Sequence, residues 1–260
     1  WSHILLLDTI TIKQLILYFS LVFALCSSAT SVISDEIRVA VASNFSGAMK
    51  AIVSEYEETS EHKIVLAFGS TGKHYAQIIN GAPFDLFLAA DSARPQLLED
   101  QGIAIIGSRT TYARGRLAVW ASNPEIKDIK VALNNHEDMR HLAFANPKLS
   151  PYGIAAQQVL MTLDLWPKVQ SKLVRGENIA QTFQFVHSGN ADLGFVAYSQ
   201  VINPNRPLQG NWWIPPKSLY SPIDQQAVLL TSKQGPKDLL KFLKSPLARQ
   251  LIQHYGYELP

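Results

Sequence analysis

The sequence has very little cysteine and no surplus of charge of either sign. Cys26 is the one cysteine among 260 residues. Disulfide frameworks, zinc–thiolate sites and iron–sulfur clusters each need several cysteines, so this count excludes all three. The 23 Lys and Arg residues face 21 Asp and Glu residues, which leaves a net charge of +2. Because nucleic-acid-binding proteins usually have a basic surplus on one face, this balance predicts no nucleic-acid partner.

Long hydrophobic runs are also scarce, and the one that stands out lies near the start. Residues 15–25 are apolar except for one hydroxyl and one phenol, and Lys13 precedes them. A membrane-spanning helix takes about 20 residues, so this run is short for one and matches the core of a secretory signal peptide. Small residues follow at 27–29. We predict a signal peptide over 1–29 and a periplasmic body without Cys26; an uncleaved membrane anchor is the alternative.

The remaining composition is that of a folded protein. Apolar residues make up 47% of the chain and charged residues 17%. These values allow a sizeable core and exclude a largely disordered chain. The length allows one large domain or two small ones.

Strand-like and helix-like segments alternate along the body of the chain. The first set predicts strands over 37–42, 64–68 and 85–89, and helices over 46–58, 72–80 and 93–101. The second set predicts strands over 117–121, 142–145, 193–197 and 227–230, and helices over 152–163, 178–187, 236–243 and 246–255. Five prolines predict an irregular loop over 203–222. This alternation predicts an α/β fold with mostly parallel sheets, covered by helices on both faces.

The pattern further predicts two α/β lobes. Lobe I comprises residues 36–115 plus 223–260, and lobe II comprises 116–222. The chain then passes between the lobes twice, near 113–117 and near 222–227. Two crossovers form a hinge, and the cleft between two lobes is a common ligand site.

Small and hydroxyl residues mark the starts of four predicted helices. They lie at 42–44, 69–72, 150–153 and 177–179. The start of a helix exposes unpaired N–H groups and about half a positive charge, which favours anion binding. The alternative is that these residues are ordinary helix caps.

Motifs of enzymes and nucleotide-binding proteins are incomplete. Residues 69–73 lack the upstream glycine and the final hydroxyl of a P-loop, and 136–141 miss the zinc-protease spacing by one residue. No serine stands in a Gly-x-Ser-x-Gly elbow. Asp85 and Asp91 flank a predicted strand, but no histidine partners them as acid and base. We therefore expect a protein that is not an enzyme and that has no cofactor.

Several of these segments resemble the periplasmic molybdate-binding proteins of ABC importers. The resemblance extends from about residue 36 to the end, and its blocks lie at 41–45, 68–73, 81–91, 152–153, 177–179 and 194–197. The Gly-Ala-Pro-Phe-Asp-Leu-Phe stretch at 81–87 is the most specific. The resemblance implies a type II periplasmic binding protein fold, with two α/β lobes around a ligand cleft and two hinge crossovers.

The resemblance also implies a function and a ligand set. The protein would capture molybdate, and tungstate as well, and deliver it as a monomer to a membrane permease. Neutral donors would hold the ion through its oxygens, with no direct bond from protein to metal. The implied binding residues are Ser43, Asn44, Ser70, Thr71, Tyr152 and Ile179.

The implied donors differ in kind. Ser43 and one of Ser70 or Thr71, with Thr71 favoured, would supply a hydroxyl and a backbone N–H, whereas Tyr152 and Ile179 would supply backbone N–H groups. Some members of the family add a tyrosine hydroxyl where this chain has Ala197, with Tyr198 next to it. Because adjacent strand residues face opposite ways, a contribution from Tyr198 stays open.

Three other functions remain as alternatives. The first is a binding protein for sulfate, phosphate, chromate or a small organic anion. A site lined by donors without acceptors disfavours protonated phosphate, because the phosphate O–H would have no acceptor. Sulfate is distinguished by size alone: its S–O bonds are shorter than bonds to Mo or W, so some donors of the site would stay unpaired. The second is an exported enzyme on the same scaffold. The third is the sensing domain of a transcription regulator, which would need a DNA-binding helix-turn-helix.

Overall fold

A computed structural model describes residues 36–202, 204 and 207–260. The predicted signal peptide over 1–29, with Cys26, lies outside the described residues. The strands are β1 (Glu36–Ala42), β2 (Lys63–Gly69), β3 (Leu86–Leu88), β4 (Thr110–Gly115), β5 (Leu117–Ala121), β6 (Leu142–Ala145), β7 (Leu173–Gly176), β8 (Leu193–Ala197), β9 (Asn211–Trp213) and β10 (Ile223–Leu229).

Helices follow most of these strands. They are α1 (Ser46–Thr59), α2 (Thr71–Ile79), α3 (Ala93–Asp100), α4 (Ile129–Asn134), α5 (Pro151–Thr162), α6 (Trp166–Val169), α7 (Ile179–His187), α8 (Tyr198–Val201), α9 (Gln234–Phe242) and α10 (Pro246–His254), with 3-10 turns at Ser43–Phe45, Gln170–Lys172 and Lys217–Leu219. Within the described ranges, no helix combines the length and the apolar character that crossing a membrane requires.

The strands form two five-stranded sheets. The first has the order β2-β1-β3-β10-β4 and the second the order β7-β6-β8-β5-β9. In the first, β1 runs parallel to β2 and β3, whereas β10 runs antiparallel to β3 and β4. In the second, β6 runs parallel to β7 and β8, whereas β5 runs antiparallel to β8 and β9. The result is a two-lobed type II periplasmic binding protein fold.

The prediction of mostly parallel sheets is wrong, because half of the strand pairings are antiparallel. The strands responsible are β5, which enters the second sheet directly after β4, and β10, which returns to the first sheet after β9. Each arrives from the other sheet and runs against its neighbours. The elements β4, β7, β9, α4, α6 and α8 were not predicted, because most are too short to define a period and β4 has the mixed sequence Thr-Thr-Tyr-Ala-Arg-Gly. The predicted irregular loop over 203–222 contains β9 and a 3-10 turn.

Each sheet has its own hydrophobic core. In the first, Met49, Ile52, Val53 and Tyr56 of α1 are buried against β1, as their helical spacing predicts. In the second, α5 buries its apolar residues against β5, β6 and β8. Burial of apolar surface on both faces fixes the ends of these strands, from which the site is built.

The first connection between the two sheets is short and closely packed. β4 ends at Gly115 and β5 begins at Leu117. A Cβ atom at Gly115 would overlap the hydroxyl of Tyr152 and lie 2.8 Å from Nε2 of Gln225. Glycine is needed here because side chains of both lobes approach the backbone closely.

Candidate functional site

The helix starts singled out in the sequence lie at matching strand ends. In the first sheet, Ala42 at the end of β1 pairs with Gly69 at the end of β2. In the second, Ala145 at the end of β6 pairs with Gly176 at the end of β7. Because parallel neighbours end at the same edge, the segments that follow them lie side by side, as ligand-binding segments do in α/β sheets.

Direct contacts join the segments of the two lobes. The hydroxyl of Ser43 donates to Oδ1 of Asn178 at 3.3 Å. The backbone N–H of Gly72 donates to the carbonyl of Leu149 at 2.8 Å. Beside them, Nζ of Lys73 lies 3.2 Å from Oε1 of Glu177. The cleft therefore brings Ser43, Ser70 and Thr71 from one lobe close to the segments that begin α5 and α7 in the other.

The two candidate hydroxyls at the start of α2 are both buried but differ in their partners. Ser70 caps the helix, since its Oγ accepts the N–H of Lys73 at 3.3 Å. Thr71 is 1% exposed, and its Oγ1 accepts the N–H of Ala90 at 3.0 Å. Each oxygen therefore accepts a hydrogen bond and retains its own proton for another acceptor. The bond from Ala90 also ties Thr71 to the end of β3.

Asn44 is buried, but its side chain has other partners. Its Nδ2 donates to Oε1 of Gln225 at 2.8 Å and to the hydroxyl of Tyr257 at 3.2 Å. Its carbonyl accepts from the hydroxyls of Ser199, at 3.1 Å, and Tyr257, at 2.6 Å. What Asn44 retains for a ligand is its backbone N–H.

Tyr152 and Ile179 each lie in the first turn of a helix. Tyr152 is the second residue of α5, after Pro151, and Ile179 is the first residue of α7. N–H groups in a first turn have no acceptor within the helix. Asn178 caps α7 by accepting the N–H groups of Ala180 at 2.9 Å and Gln181 at 3.0 Å.

The side chain of Tyr152 takes no part in the predicted ligand contact, which involves the backbone N–H alone. Its hydroxyl accepts a hydrogen bond from Nε2 of Gln225 at 3.4 Å. Burial raises the pKa of the Tyr152, Tyr112 and Tyr257 hydroxyls above the usual value of 10.0. All three therefore stay neutral at physiological pH, and none of them repels an anion.

A cavity of about 640 Å³ adjoins the site. It is lined by residues of both lobes, including Gly72 and Pro151, the neighbours of Thr71 and Tyr152. The six predicted binding residues do not line it. Four charged residues line it, of which Asp91 and Arg94 form an ion pair with each other and Asp224 pairs with Arg114; the fourth is Lys148. We take the buried cluster, and not this open cavity, as the candidate site, because the cluster has the convergent donors.

Other residues considered from the sequence lie apart from this cluster or form ordinary contacts. Asp85 accepts the N–H of Arg38 at 2.9 Å, and Asp91 pairs with Arg94. The ring of Tyr198 lies under the guanidinium of Arg116, 4.4 Å from its carbon. Its neighbour Ser199 is the residue that contacts Asn44. In the described part of the chain, no three His, Cys, Asp or Glu residues are grouped to hold a metal ion.

Sequence reasoning missed four residues around Asn44. These are Tyr112, Ser199, Gln225 and Tyr257. None belongs to a motif, and the strand that carries Gln225 reads Ile-Asp-Gln-Gln-Ala-Val-Leu, in which three consecutive polar residues give no signal that one of them is fully buried.

Comparisons with known proteins identify the family to which the chain is similar. Residues 37–258 match the family described as bacterial extracellular solute-binding protein. The molybdate-binding protein ModA of Azotobacter vinelandii is 48% identical over 227 residues, which are 86% of this chain and 90% of that protein. The protein of the same name from Rhodobacter capsulatus is 43% identical over 229 residues, which are 86% and 88% of the two chains.

Solved structures extend the comparison. A periplasmic molybdate-binding protein of Azotobacter vinelandii has a TM-score of 0.82 and 38% identity, over 86% of this chain and 99% of that one. The sulfate-binding protein SubI of Mycobacterium tuberculosis has a TM-score of 0.70 at 11% identity, over 86% of each chain, and so shares the fold alone. The resemblance seen in the sequence is confirmed: this chain belongs to the bacterial extracellular solute-binding protein family, with molybdate-binding proteins among its relatives.

Proposed function

We propose that this protein captures molybdate between its lobes in the periplasm and delivers it to the permease of an ABC importer. The observation that supports this most directly is the convergence of helix starts from both lobes with neutral donors. Relatives at 48% and 43% identity are named molybdate-binding proteins. Tungstate, which has the same charge and shape, is a second ligand in this proposal.

The proposed ligand set comprises neutral donors alone. The hydroxyls of Ser43 and Thr71 donate to oxyanion oxygens, and Ser70 caps the helix that holds Thr71. The backbone N–H groups of Asn44, Tyr152 and Ile179 complete the set. Hydrogen bonds to a charged group contribute roughly 1.5–3 kcal/mol each, so several of them offset the cost of burying a dianion.

The proposal includes the division of the chain. Residues 36–115 plus 223–260 form one lobe, residues 116–222 form the other, and the crossovers near 113–117 and near 222–227 act as the hinge. A monomer is enough for this task, because donors of one chain line the whole cleft. No bond of the ligand is made or broken, and no cofactor is needed.

Calorimetric titration of the anion-free protein with molybdate, tungstate, sulfate and phosphate tests this function. We expect tight binding of molybdate and tungstate, with sulfate and phosphate about a thousandfold weaker, a difference of about 4.1 kcal/mol. A preference for sulfate or phosphate would retain the carrier role and overturn the substrate. Absence of heat with all four anions would favour the organic-anion or enzyme alternatives.

A further inference from the structure

Gln225 is a polar side chain buried at the junction of the two lobes. It lies on β10, the strand that returns to the first sheet, and is 0% exposed. A buried amide is costly unless its donors and acceptor are paired. Its partners therefore indicate why the chain retains a glutamine at this fully buried position of the strand.

Those partners belong to both lobes. Oε1 of Gln225 accepts hydrogen bonds from Nδ2 of Asn44 at 2.8 Å and from the hydroxyl of Tyr112 at 3.1 Å. Its Nε2 donates to the hydroxyl of Tyr152 at 3.4 Å. Asn44 lies in the 3-10 turn after β1, and Tyr152 lies in the first turn of α5. One side chain thus connects a binding segment of the first sheet to a binding helix of the second.

An irregularity in the sheet makes this arrangement possible. Gln225 pairs with Ala113, whereas Gln226 pairs with Thr111, so Tyr112 has no partner opposite it on β10. A bulge of this kind redirects a side chain out of the regular alternation. Here the one O–H of Tyr112 is shared between Oε1 of Gln225 and the carbonyl of Ala89, each at 3.1 Å.

We propose that Gln225 is a positioning residue that couples the oxyanion-binding ends of the two lobes. This inference rests on the proposed function. Gln225 holds the Asn44 turn and the start of α5 in register, so that donors from both lobes face one ligand together. It does not touch the ligand itself. Its removal lowers affinity by misaligning the donors.

The test measures molybdate affinity by calorimetry for the full chain and for Gln225→Met, which keeps the side-chain length and removes all three hydrogen bonds. We expect the Kd to rise by about tenfold, which corresponds to about 1.4 kcal/mol. Asn44 keeps its bond to Tyr257, and Tyr112 keeps its bond to Ala89, so the variant retains alternative partners and folds.

The matched control is Gln226→Met at the next position of the same strand. Oε1 of Gln226 accepts from Nη1 of Arg109 at 3.0 Å, and its Nε2 donates to Oγ1 of Thr111 at 3.1 Å. All of these residues belong to the first sheet or its connections. Gln226→Met also replaces a hydrogen-bonded glutamine of β10, but its Kd should stay within about twofold of wild type. Equal losses of affinity in the two would overturn the proposal.

Tyr152→Phe tests the same coupling from the other lobe. It keeps the backbone N–H and removes only the hydroxyl that Gln225 contacts. We expect a weaker Kd for Tyr152→Phe, and no further weakening when it is combined with Gln225→Met. Wild-type affinity in either single variant would overturn the positioning role, whereas a wild-type protein that fails to bind molybdate would overturn the proposed function itself.

Discussion

At the level of single residues, the hydroxyl of Ser43 faces two competing acceptors. In the structure it donates to Asn178, which already accepts two backbone N–H groups of α7. An oxyanion in the cleft would accept the hydrogen bond from Ser43 in place of Asn178. Because the cap remains satisfied by its two backbone bonds, the exchange costs little and favours the anion.

Replacement of Ser43 by alanine should weaken molybdate binding by at least about tenfold, because one hydrogen bond to a charged ligand is lost. Calorimetric titration measures the change. Ser122→Ala is a suitable control, since the Ser122 hydroxyl donates to the carbonyl of Val186 at 2.7 Å, within the second lobe. An affinity of Ser43→Ala within about twofold of wild type would refute the assigned ligand set.

At the level of elements, helix caps both stabilise the helices and shape the site. Ser70 caps α2 and Asn178 caps α7, and each stands next to a proposed ligand donor. A cap orients the first turn, where the free N–H groups lie. The same polar residues therefore cap the helices and orient the neighbouring donors of the proposed site.

Asn178→Ala and Ser245→Ala separate these two effects. Ser245 caps α10 by accepting the N–H of Ala248 at 3.2 Å. Each variant should lose about 1 kcal/mol in the free energy of unfolding, measured by denaturant titration. Asn178→Ala alone should also weaken molybdate binding, because it loosens the turn that presents Ile179. Equal affinity in the two variants would show that the cap has no part in binding.

At the level of the whole molecule, buried tyrosines link stability to pH. Burial raises the pKa of Tyr112, Tyr152 and Tyr257 in the folded protein. In the unfolded chain these hydroxyls ionise near pH 10, whereas in the folded protein they keep their protons. Their contribution is fully present below pH about 10 and is lost as the pH rises beyond it.

We therefore expect the free energy of unfolding to fall above pH about 10, by up to about 1.4 kcal/mol per pH unit for each tyrosine. Denaturant titrations between about pH 8 and about pH 11, on both sides of the ionisation of an exposed tyrosine, measure this slope. Tyr112→Phe should make the slope shallower, because one buried hydroxyl is removed. Trp212→Phe, at an exposed position of the edge strand β9, should leave the slope unchanged. An unaltered slope in Tyr112→Phe would contradict the burial effect.

The sequence by itself determined the kinds of element and the chemistry of the helix starts. Periodic apolar residues predicted α1 and its buried face, and the hydroxyl and asparagine residues before α2 and α7 predicted their caps. These features are local, because a helix period or a cap involves residues a few positions apart. The family blocks are local in the same sense, and they were enough to recognise the family.

Only the tertiary structure decided which donors are available. Asn44 meets Ser199, Gln225 and Tyr257, which follow it by 155, 181 and 213 positions. It also decided the antiparallel placement of β5 and β10. β5 begins the second sheet and is flanked there by the later strands β8 and β9, whereas β10 lies between β3 and β4 of the first sheet. Contacts between such distant segments leave no periodic pattern in the sequence, because they depend on how the two lobes pack together.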